Sequence, residues 1–338
     1  MRPNAVWPGA DVRAARRLVP RRVRHQISAQ LARLRAARLE QELAAVAARN
    51  DTIVAGPWLG EVGFELLYWV PFLSWFAKRF DVAADRLLVV SRGGTAGWYR
   101  PFASRYREIF DYLTPEEFRR RHDERVAMNG EQKQTQVLTF EHDLLQELTP
   151  DVQHRRMLHP STMYRLFDPF WWGHLDEAWV HRYARYQRLV APASGILPAE
   201  PYVAVKFYFN DCFPATEGNR AFVRELLERL VAEGPVVSLT TNLDLDDHGG
   251  VDVRELGVQP LPSHLAARDN LEVQSALVAG AKACVGTYGG FSYLAPFYGV
   301  RSTAYYSDPD GFSRRHLSMA RSALAAMGAD GLLQVASV

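Results

Sequence analysis

The chain has 338 residues, 48% of them hydrophobic, and it contains two cysteines, Cys212 and Cys284. A chain of this length can bury two cores of ordinary domain size. Two cysteines far apart in sequence, without a CxxC spacing, argue against a disulfide framework and against a structural zinc site. We find no signal-peptide pattern and no run of about eighteen apolar residues, so we expect a soluble, cytoplasmic protein.

The positive charge is concentrated in residues 1–50. This segment has eleven arginines and three acidic residues, a net charge of +8, which leaves −6 on the remainder because the total is +2. Its apolar residues follow a roughly helical spacing, namely Ile27, Leu31, Leu34, Leu39, Leu43 and Val46. We expect a basic amphipathic arm that docks on an anionic membrane surface, which would make the protein peripheral at the inner face. A partly disordered tail, or a helix packed on the body, is the alternative.

Nucleic acid is a poor candidate partner. The body outside the arm is net acidic and has no motif in which basic and aromatic residues alternate for base recognition.

The first strand and helix pattern follows the arm. Residues 51–55 predict a buried strand, residues 56–63 a loop containing Gly60, Glu61 and Gly63, and residues 64–80 a strongly apolar helix. Ligands of Rossmann-like sheets bind where the strands end, so this loop should line a cleft. Glu65, one helical turn beyond Glu61, is either a second catalytic candidate or the buried partner of a backbone or arginine group.

Two further stretches are candidates for binding an acceptor. Residues 86–91 predict a second strand, and Arg92, Gly93 and Gly94 then form a loop that should face the same cleft; an ordinary surface turn is the alternative. Residues 159–174 are dense in aromatic and ionisable side chains, including His159, Asp168 and Trp171. Aromatic faces bind sugar rings well, but packing between the two halves explains the same composition.

The second half repeats the alternation after a Pro- and Ala-rich stretch at residues 191–200. Residues 202–209 predict a strand that contains Lys206 and precedes Asn210, and a lysine inside a strand is costly unless it meets a charge or reaches solvent. Later strands and helices recur at βαβ length, which predicts a parallel sheet. Thr241, Asn242 and Glu272 are placed to contact a ribose or a base.

The segment 284–300 carries the strongest pattern. A short β run enters the doublet Gly289–Gly290, and an apolar stretch follows with Ser292 placed as an N-cap. Glycines let a backbone approach a ligand closely, and a helix N-terminus favours a phosphate. The candidate donor-binding residues here are Thr287, Tyr288, Gly289, Gly290, Phe291, Ser292 and Tyr293. A tight turn in an ordinary strand–helix unit is the alternative.

These motifs resemble those of GT-B glycosyltransferases, and most closely those of the heptosyltransferase type. Residues 289–300 resemble the donor loop of that family, with a small-residue turn followed by Ser-aromatic-Leu-Ala and then Gly-Val. Tyr288 stands where the family usually has Asp. Leu59-Gly60-Glu61-Val62 is similar to the family's Leu-Gly-Asp-Val, whose Asp is the proposed general base. The resemblance implies that Glu61 is the base and that Lys206 contacts donor phosphate.

The resulting prediction is an α/β protein with two Rossmann-like domains facing a cleft. We expect the arm at 1–50, an acceptor-binding domain at 51–193 with a charged helical insertion, a nucleotide-sugar domain at 194–325 and a tail at 326–338. The resemblance implies transfer of a sugar from a nucleotide-diphosphate donor to a glycan, lipid-linked or small-molecule acceptor, without a cofactor or a metal.

Three alternatives remain. Asp244-Leu245-Asp246 could hold a divalent metal, as the Asp-x-Asp motif of GT-A glycosyltransferases does. A sugar-nucleotide epimerase would use the same fold without an acceptor, and a non-catalytic membrane-docked binding protein would use only the arm.

Overall fold

The structure is a computed structural model that describes residues 21–338 except 131–132, 194–196, 242, 244–248 and 252–255. Two parallel sheets dominate it and confirm the predicted α/β fold with two Rossmann-like halves. The strands of the first sheet are β1 Thr52–Ala55, β2 Leu87–Ser91, β3 Arg105–Glu108 and β4 Arg155–Leu158, in the order β3-β2-β1-β4. Strand β2 is buried along its whole length, as expected for a parallel sheet covered on both faces.

The second sheet has five parallel strands in the order β11-β10-β9-β5-β7. They are β5 Val203–Lys206, β7 Val236–Ser238, β9 Ala283–Thr287, β10 Arg301–Tyr306 and β11 Leu333–Ser337. The chain runs from β5 to β7 in one direction and then continues with β9 on the other side of β5. The strand order therefore reverses between β5 and β9, and ligands of open α/β sheets bind beyond the carboxyl ends of the strands at such a point.

Helices cover both sheets. In chain order they are α1 Arg21–Ala47, α2 Val62–Phe64, α3 Val70–Arg79, α4 Ala96–Tyr99, α5 Pro115–Asn129, α6 Thr139–Leu148, α7 Pro160–Trp171, α8 Glu177–His181, α9 Glu217–Glu233, α10 Asn270–Gly280, α11 Leu294–Phe297 and α12 Arg314–Ala326. A π-helical segment, Glu65–Trp69, joins α2 to α3. The apolar helix predicted after Glu61 is therefore present but carries a π-helical interruption, a feature that is frequent at functional sites.

Helix α1 packs on the body, which is one of the alternatives considered for the arm. Its inner face is lined by Ala29, Ala32, Ala36, Leu39, Leu43 and Ala47, all buried. Leu39 and Leu43 belong to the predicted apolar face, but Ile27, Leu31 and Leu34 are exposed. The face of α1 that packs on the body is therefore formed mainly by alanines, and this helix contacts α7.

Two other expectations need correction. The strand predicted at 202–209 is split into β5 and a short β6, Tyr208–Phe209, which pairs antiparallel with β8, Gly249–Gly250. Residues 326–338 are not a tail, because β11 lies there and forms the edge of the second sheet beside β10. Asn242 and the Asp244-Leu245-Asp246 motif lie outside the described residues.

Candidate active site

A cavity of about 170 Å³ lies where the two halves of the molecule meet. The N-terminal half lines it with Glu61, Gly63, Phe64, Leu67 and Tyr68, and the C-terminal half with Asn210, Cys212, Tyr288, Gly289, Gly290, Tyr293, Gly311, Phe312, Ser313 and His316. The structure thus brings Glu61 and the glycine doublet, predicted from stretches more than two hundred residues apart, to one cavity.

The two halves touch through their backbones at Gly63 and Gly290. A Cβ atom added to Gly63 would lie 2.3 Å from the Cα atom of Gly290, and one added to Gly290 would lie 2.6 Å from the nitrogen of Gly63. Real Cβ atoms essentially never approach other atoms so closely. Both positions therefore require glycine, and their contact fixes how near the Glu61 loop comes to the glycine doublet.

Glu61 immediately precedes α2 with an extended backbone, φ −67° and ψ 151°. Its side chain makes no capping hydrogen bond to the helix, whereas its carbonyl accepts a hydrogen bond from the Glu65 nitrogen at 3.0 Å. The exposed side chain lines the cavity. The Glu61 carboxylate therefore does not cap the helix through a side-chain hydrogen bond.

Glu65 lies behind the cavity rather than in it. The carboxyl is buried in the π-helical segment, and its Oε1 atom accepts hydrogen bonds from the hydroxyls of Ser91 at 2.6 Å, Tyr99 and Thr95. Burial raises its pKa to about 7, although these hydroxyls and the Arg92 charge oppose the shift. Glu65 is thus buried, as in the second of its two predicted roles, but these hydrogen bonds come from hydroxyls and not from a backbone or arginine group.

Tyr68 and His316 form a polar pair in the cavity. The sequence did not predict this pair. The Tyr68 hydroxyl lies 2.7 Å from Nδ1 of His316, and the Phe64 ring lies 4.8 Å from the imidazole, centroid to centroid. Burial, with a smaller effect of Lys133, lowers the pKa of His316 to about 4, so the imidazole is neutral at pH 7. The spacing of Glu61, Phe64 and Tyr68 could have placed Tyr68 on the Glu61 face.

The glycine doublet leads into a short helix of mixed type. Gly290–Tyr293 is a 3₁₀ turn, and α11 adds four residues. The Ser292 hydroxyl donates to the Gly289 carbonyl at 2.7 Å, so Ser292 does not act as the predicted N-cap. The hydroxyls of Tyr288 and Tyr293 lie 2.9 Å apart. The cavity wall is therefore formed by a glycine turn and a tyrosine pair, without a long helix N-terminus.

Lys206 lies at the carboxyl end of β5, where the strand order of the second sheet reverses. Its Nζ atom donates to the Leu239 carbonyl and to Oε1 of Gln274, both at 3.0 Å, and lies 4.7 Å from the centroid of the Phe291 ring. Phe291 follows the glycine doublet directly. Lys206 is thus connected to the donor loop through Phe291, although neither residue lines the cavity.

Arg92, Gly93 and Gly94 form a joint between the two halves. The Glu108 carboxylate accepts hydrogen bonds from the backbone N–H groups of Gly93 at 2.9 Å and Gly94 at 2.8 Å, while the Gly93 carbonyl accepts from the Leu271 N–H at 2.7 Å. Arg92 is buried and donates to the Gly60 carbonyl at 2.9 Å. This loop does not line the cavity, but it positions the segment that carries Glu61.

The remaining acceptor candidates lie apart from one another. His159 is buried 3.3 Å from the Glu141 carboxylate and accepts a hydrogen bond from the Ser161 N–H at the start of α7. Asp168 is exposed on α7. Trp171 packs at 5.8 Å from Phe64, centroid to centroid, at the edge of the cavity. The aromatic segment thus contributes packing around the cavity wall, and His159 is a buried side chain next to the Glu141 carboxylate.

The remaining donor candidates are also dispersed. The Thr287 hydroxyl is buried and donates to the Tyr208 carbonyl at 2.8 Å. Glu272 is exposed near the start of α10, and Thr241 is half-buried after β7. None of the three lines the cavity. Within the described part of the chain, no group of three His, Cys, Asp or Glu side chains is arranged to hold a metal ion.

A second, larger cavity of about 760 Å³ lies between α1 and residues 173–177. Arg33 and Arg315 line it, and it contains none of the candidate catalytic or donor-binding residues. We place the candidate active site at the smaller cavity, because the carboxylate and the glycine doublet meet there. No helix among the described residues is long and apolar enough to cross a bilayer.

Comparison with known proteins finds similarity only among solved structures. Neither a protein-family model nor a curated protein matches the chain. E. coli ADP-heptose LPS heptosyltransferase II has 13% identity and a TM-score of 0.45, with 85% of this chain and 90% of that chain covered. A glycosyl transferase family 9 protein from Veillonella parvula has 11% identity and a TM-score of 0.46, with 86% and 87% covered.

E. coli heptosyltransferase WaaC with ADP-2-deoxy-2-fluoro heptose has 13% identity and a TM-score of 0.41, with 84% and 92% covered. At these values the similarity by itself assigns no activity. The chain is similar to GT-B glycosyltransferases of the heptosyltransferase type, the group that its motifs resemble.

Proposed function

We propose that this protein is a glycosyltransferase that moves a sugar from a nucleotide-diphosphate donor to a hydroxyl group of a glycan, lipid-linked or small-molecule acceptor. One observation carries the proposal: the Glu61 carboxylate and the Gly289–Gly290 turn line the same cavity from opposite halves of the molecule. The cavity lies beyond the carboxyl ends of the strands of the second sheet, close to the point where their order reverses, as is usual for nucleotide sites of this architecture.

In the proposed reaction, the acceptor oxygen attacks the anomeric carbon as its proton passes to Glu61. The bond from that carbon to the diphosphate breaks, and the nucleoside diphosphate leaves with the electron pair. A single displacement of this kind inverts the anomeric centre. A carboxylate suits the first role because general-base catalysis needs a proton acceptor within hydrogen-bond reach of the attacking oxygen.

We assign the departing diphosphate to the glycine turn and to Lys206. Gly289 and Gly290 line the cavity, and preorganised hydrogen-bond donors are effective where negative charge develops. The Lys206 ammonium lies 4.7 Å from the centroid of the Phe291 ring, and Phe291 follows that turn directly. In this proposal Lys206 and the backbone, without a metal, neutralise the leaving group.

The size of the cavity implies movement. Its volume of about 170 Å³ is below the roughly 300–1,000 Å³ of typical ligand sites. A nucleotide sugar therefore requires the two halves to separate at the contact between Gly63 and Gly290.

A two-stage experiment tests this function. Thermal-shift measurements with uridine, guanosine, adenosine and thymidine diphosphates should identify one that raises the melting temperature, because ligand binding to the native state stabilises it. The matching nucleotide sugars are then incubated with and without candidate acceptors, and release of nucleoside diphosphate is measured. Release that depends on an acceptor supports transfer. An epimer formed from the nucleotide sugar alone would favour the epimerase, and no response to any nucleotide would contradict the donor site.

A further inference from the structure

The outer face of α1 carries a row of exposed apolar side chains, which we call the outer stripe. It consists of Val23 at 41% exposure, Ile27 at 48%, Leu31 at 47% and Leu34 at 70%. The spacings of four, four and three residues put these side chains on one side of a helix. Large apolar residues aligned in this way on a helix are typical of an interaction surface rather than of scattered surface hydrophobics.

The outer stripe cannot turn inward, because the opposite face of α1 is already packed. Ala32, Ala36 and Leu39 on that face are at most 6% exposed. Polar contacts also hold the helix: the Tyr183 hydroxyl donates to Glu40 at 2.8 Å, and the Arg182 guanidinium lies 3.6 Å from the same carboxylate. The protein therefore presents the outer stripe on a helix that is fixed to its body.

Basic side chains border the outer stripe. Arg33, Arg35 and Arg38 are exposed; their positions on the helix place Arg33 and Arg35 on opposite sides of the apolar row and Arg38 in line with it, one turn beyond Leu34. The first fifty residues carry a net charge of +8 in total. A helix with an apolar row between arginines matches an anionic lipid surface, where the apolar side chains enter the interface and the guanidinium groups meet lipid phosphates.

We propose that the outer stripe, with Arg33, Arg35 and Arg38, is a docking surface for an anionic lipid bilayer. Charge decides between this partner and a second copy of the chain. A symmetric dimer would bring the same surface against itself, so the arginines of both copies would face each other, which is unfavourable. This inference does not depend on the proposed catalytic activity.

Docking through a fixed helix would set the orientation of the whole molecule. Helix α1 contacts α7, and α7 ends at Trp171, which packs against Phe64 of the candidate active site. The bilayer would therefore hold the N-terminal half in one orientation. A freely jointed tail of the same charge would give affinity without orientation.

Vesicle co-sedimentation of the full chain tests the proposal. The parent should bind vesicles of phosphatidylcholine mixed with phosphatidylglycerol, and should bind phosphatidylcholine alone much more weakly. The triple variant Ile27→Ser, Leu31→Ser, Leu34→Ser should lose at least about tenfold in partitioning. Met128→Ser, at another side chain that is 70% exposed, is the matched control and should leave binding unchanged.

The charge contribution is tested separately. Replacing Arg33, Arg35 and Arg38 with glutamine should weaken binding about fivefold per arginine, and added salt should reduce the difference between this variant and the parent. A fluorophore on Leu34→Cys should shift its emission to the blue on anionic vesicles; labelling is selective because Cys212 and Cys284 are buried. This label keeps the test valid if the triple variant fails to fold.

Three results would overturn the proposal. The first is equal partitioning of the parent onto neutral and anionic vesicles, or no partitioning onto either. The second is unchanged binding in both the stripe and the arginine variants. The third is that the parent does not bind vesicles but forms a dimer, or a complex with an acidic protein, and that the triple serine variant no longer forms it. The outer stripe would then be a binding surface for a protein partner.

Discussion

The contact between Gly63 and Gly290 gives the sharpest test of how the two halves meet. Replacing Gly63 with alanine adds a methyl group 2.3 Å from the Cα atom of Gly290, where ordinary contact begins at 3.4 Å. The backbones must therefore move apart by at least 1.1 Å, the difference between these two distances. The neighbouring atoms are backbone atoms, so no side chain can turn away to relieve the clash.

Two effects of opposite sign act on the stability of Gly63→Ala. Gly63 lies in α2, where alanine is favoured over glycine by about 0.5–1 kcal/mol. Overpacking in a closely packed region costs about 1–3 kcal/mol. The overpacking cost is the larger, so we expect the free energy of unfolding to fall by about 0.5–2 kcal/mol.

Urea denaturation of the parent and of two variants measures this balance. Gly218→Ala is the matched control, because Gly218 lies in the first turn of α9 with nothing within 4 Å of an added Cβ atom. The control should be as stable as the parent or slightly more stable. If Gly63→Ala were as stable as Gly218→Ala, the two backbones would not meet as described and the reasoning would be refuted.

Two further substitutions test the surroundings of the cavity. Burial raises the pKa of Glu65 to about 7, above its ordinary value of 4.5, so the stability contributed by its protonated form is complete below about pH 4.5 and is lost as the pH rises through 7. Between pH 4.5 and pH 8 the free energy of unfolding of Glu65→Gln should therefore rise relative to that of the parent by on the order of 3 kcal/mol. A difference between the two proteins that stayed constant with pH in urea unfolding would contradict the shifted pKa. Lys206→Ala should bind the nucleoside diphosphate about 10- to 100-fold more weakly by calorimetry, whereas the exposed Lys282→Ala should bind like the parent; equal affinity in all three would remove the Lys206 contact.

The sequence predicted well those features that depend on local pattern. The strands predicted at residues 51–55 and 86–91 are present as β1 and β2, and both have continuous apolar runs. Glu61 follows β1 of the first sheet and Gly289 follows β9 of the second, and in each sheet the loops after parallel strands lie at the carboxyl edge, where ligands bind.

The features that the sequence did not predict depend on distant contacts. Tyr68 and His316 are separated by 248 positions, and nothing local marks them as a pair. Glycine at 63 and at 290 indicates close approach, but the sequence does not say to what. The sequence did not predict the buried face of α1, because the alanines that form it are only weakly hydrophobic. That face is buried because the helix packs against α7, and not because its side chains are large.

The role of the loop of Arg92, Gly93 and Gly94 also depends on a contact that the sequence did not predict. Its composition fits an anion-binding turn, and its glycines have positive φ angles of 76° and 81°. The Glu108 carboxylate nevertheless accepts both glycine N–H groups. A partner fourteen or fifteen residues away, on the next strand, thus converts a candidate binding loop into a structural joint.

The central claim is that Glu61 accepts the acceptor's proton at the glycine turn. The most direct measurement is turnover by Glu61→Gln, once donor and acceptor are known, beside Glu225→Gln as an exposed carboxylate control on α9. We predict that kcat falls by about 10²- to 10⁴-fold in Glu61→Gln with unchanged donor affinity, and that the control keeps the parent's activity. Turnover of Glu61→Gln close to that of the parent would contradict the account.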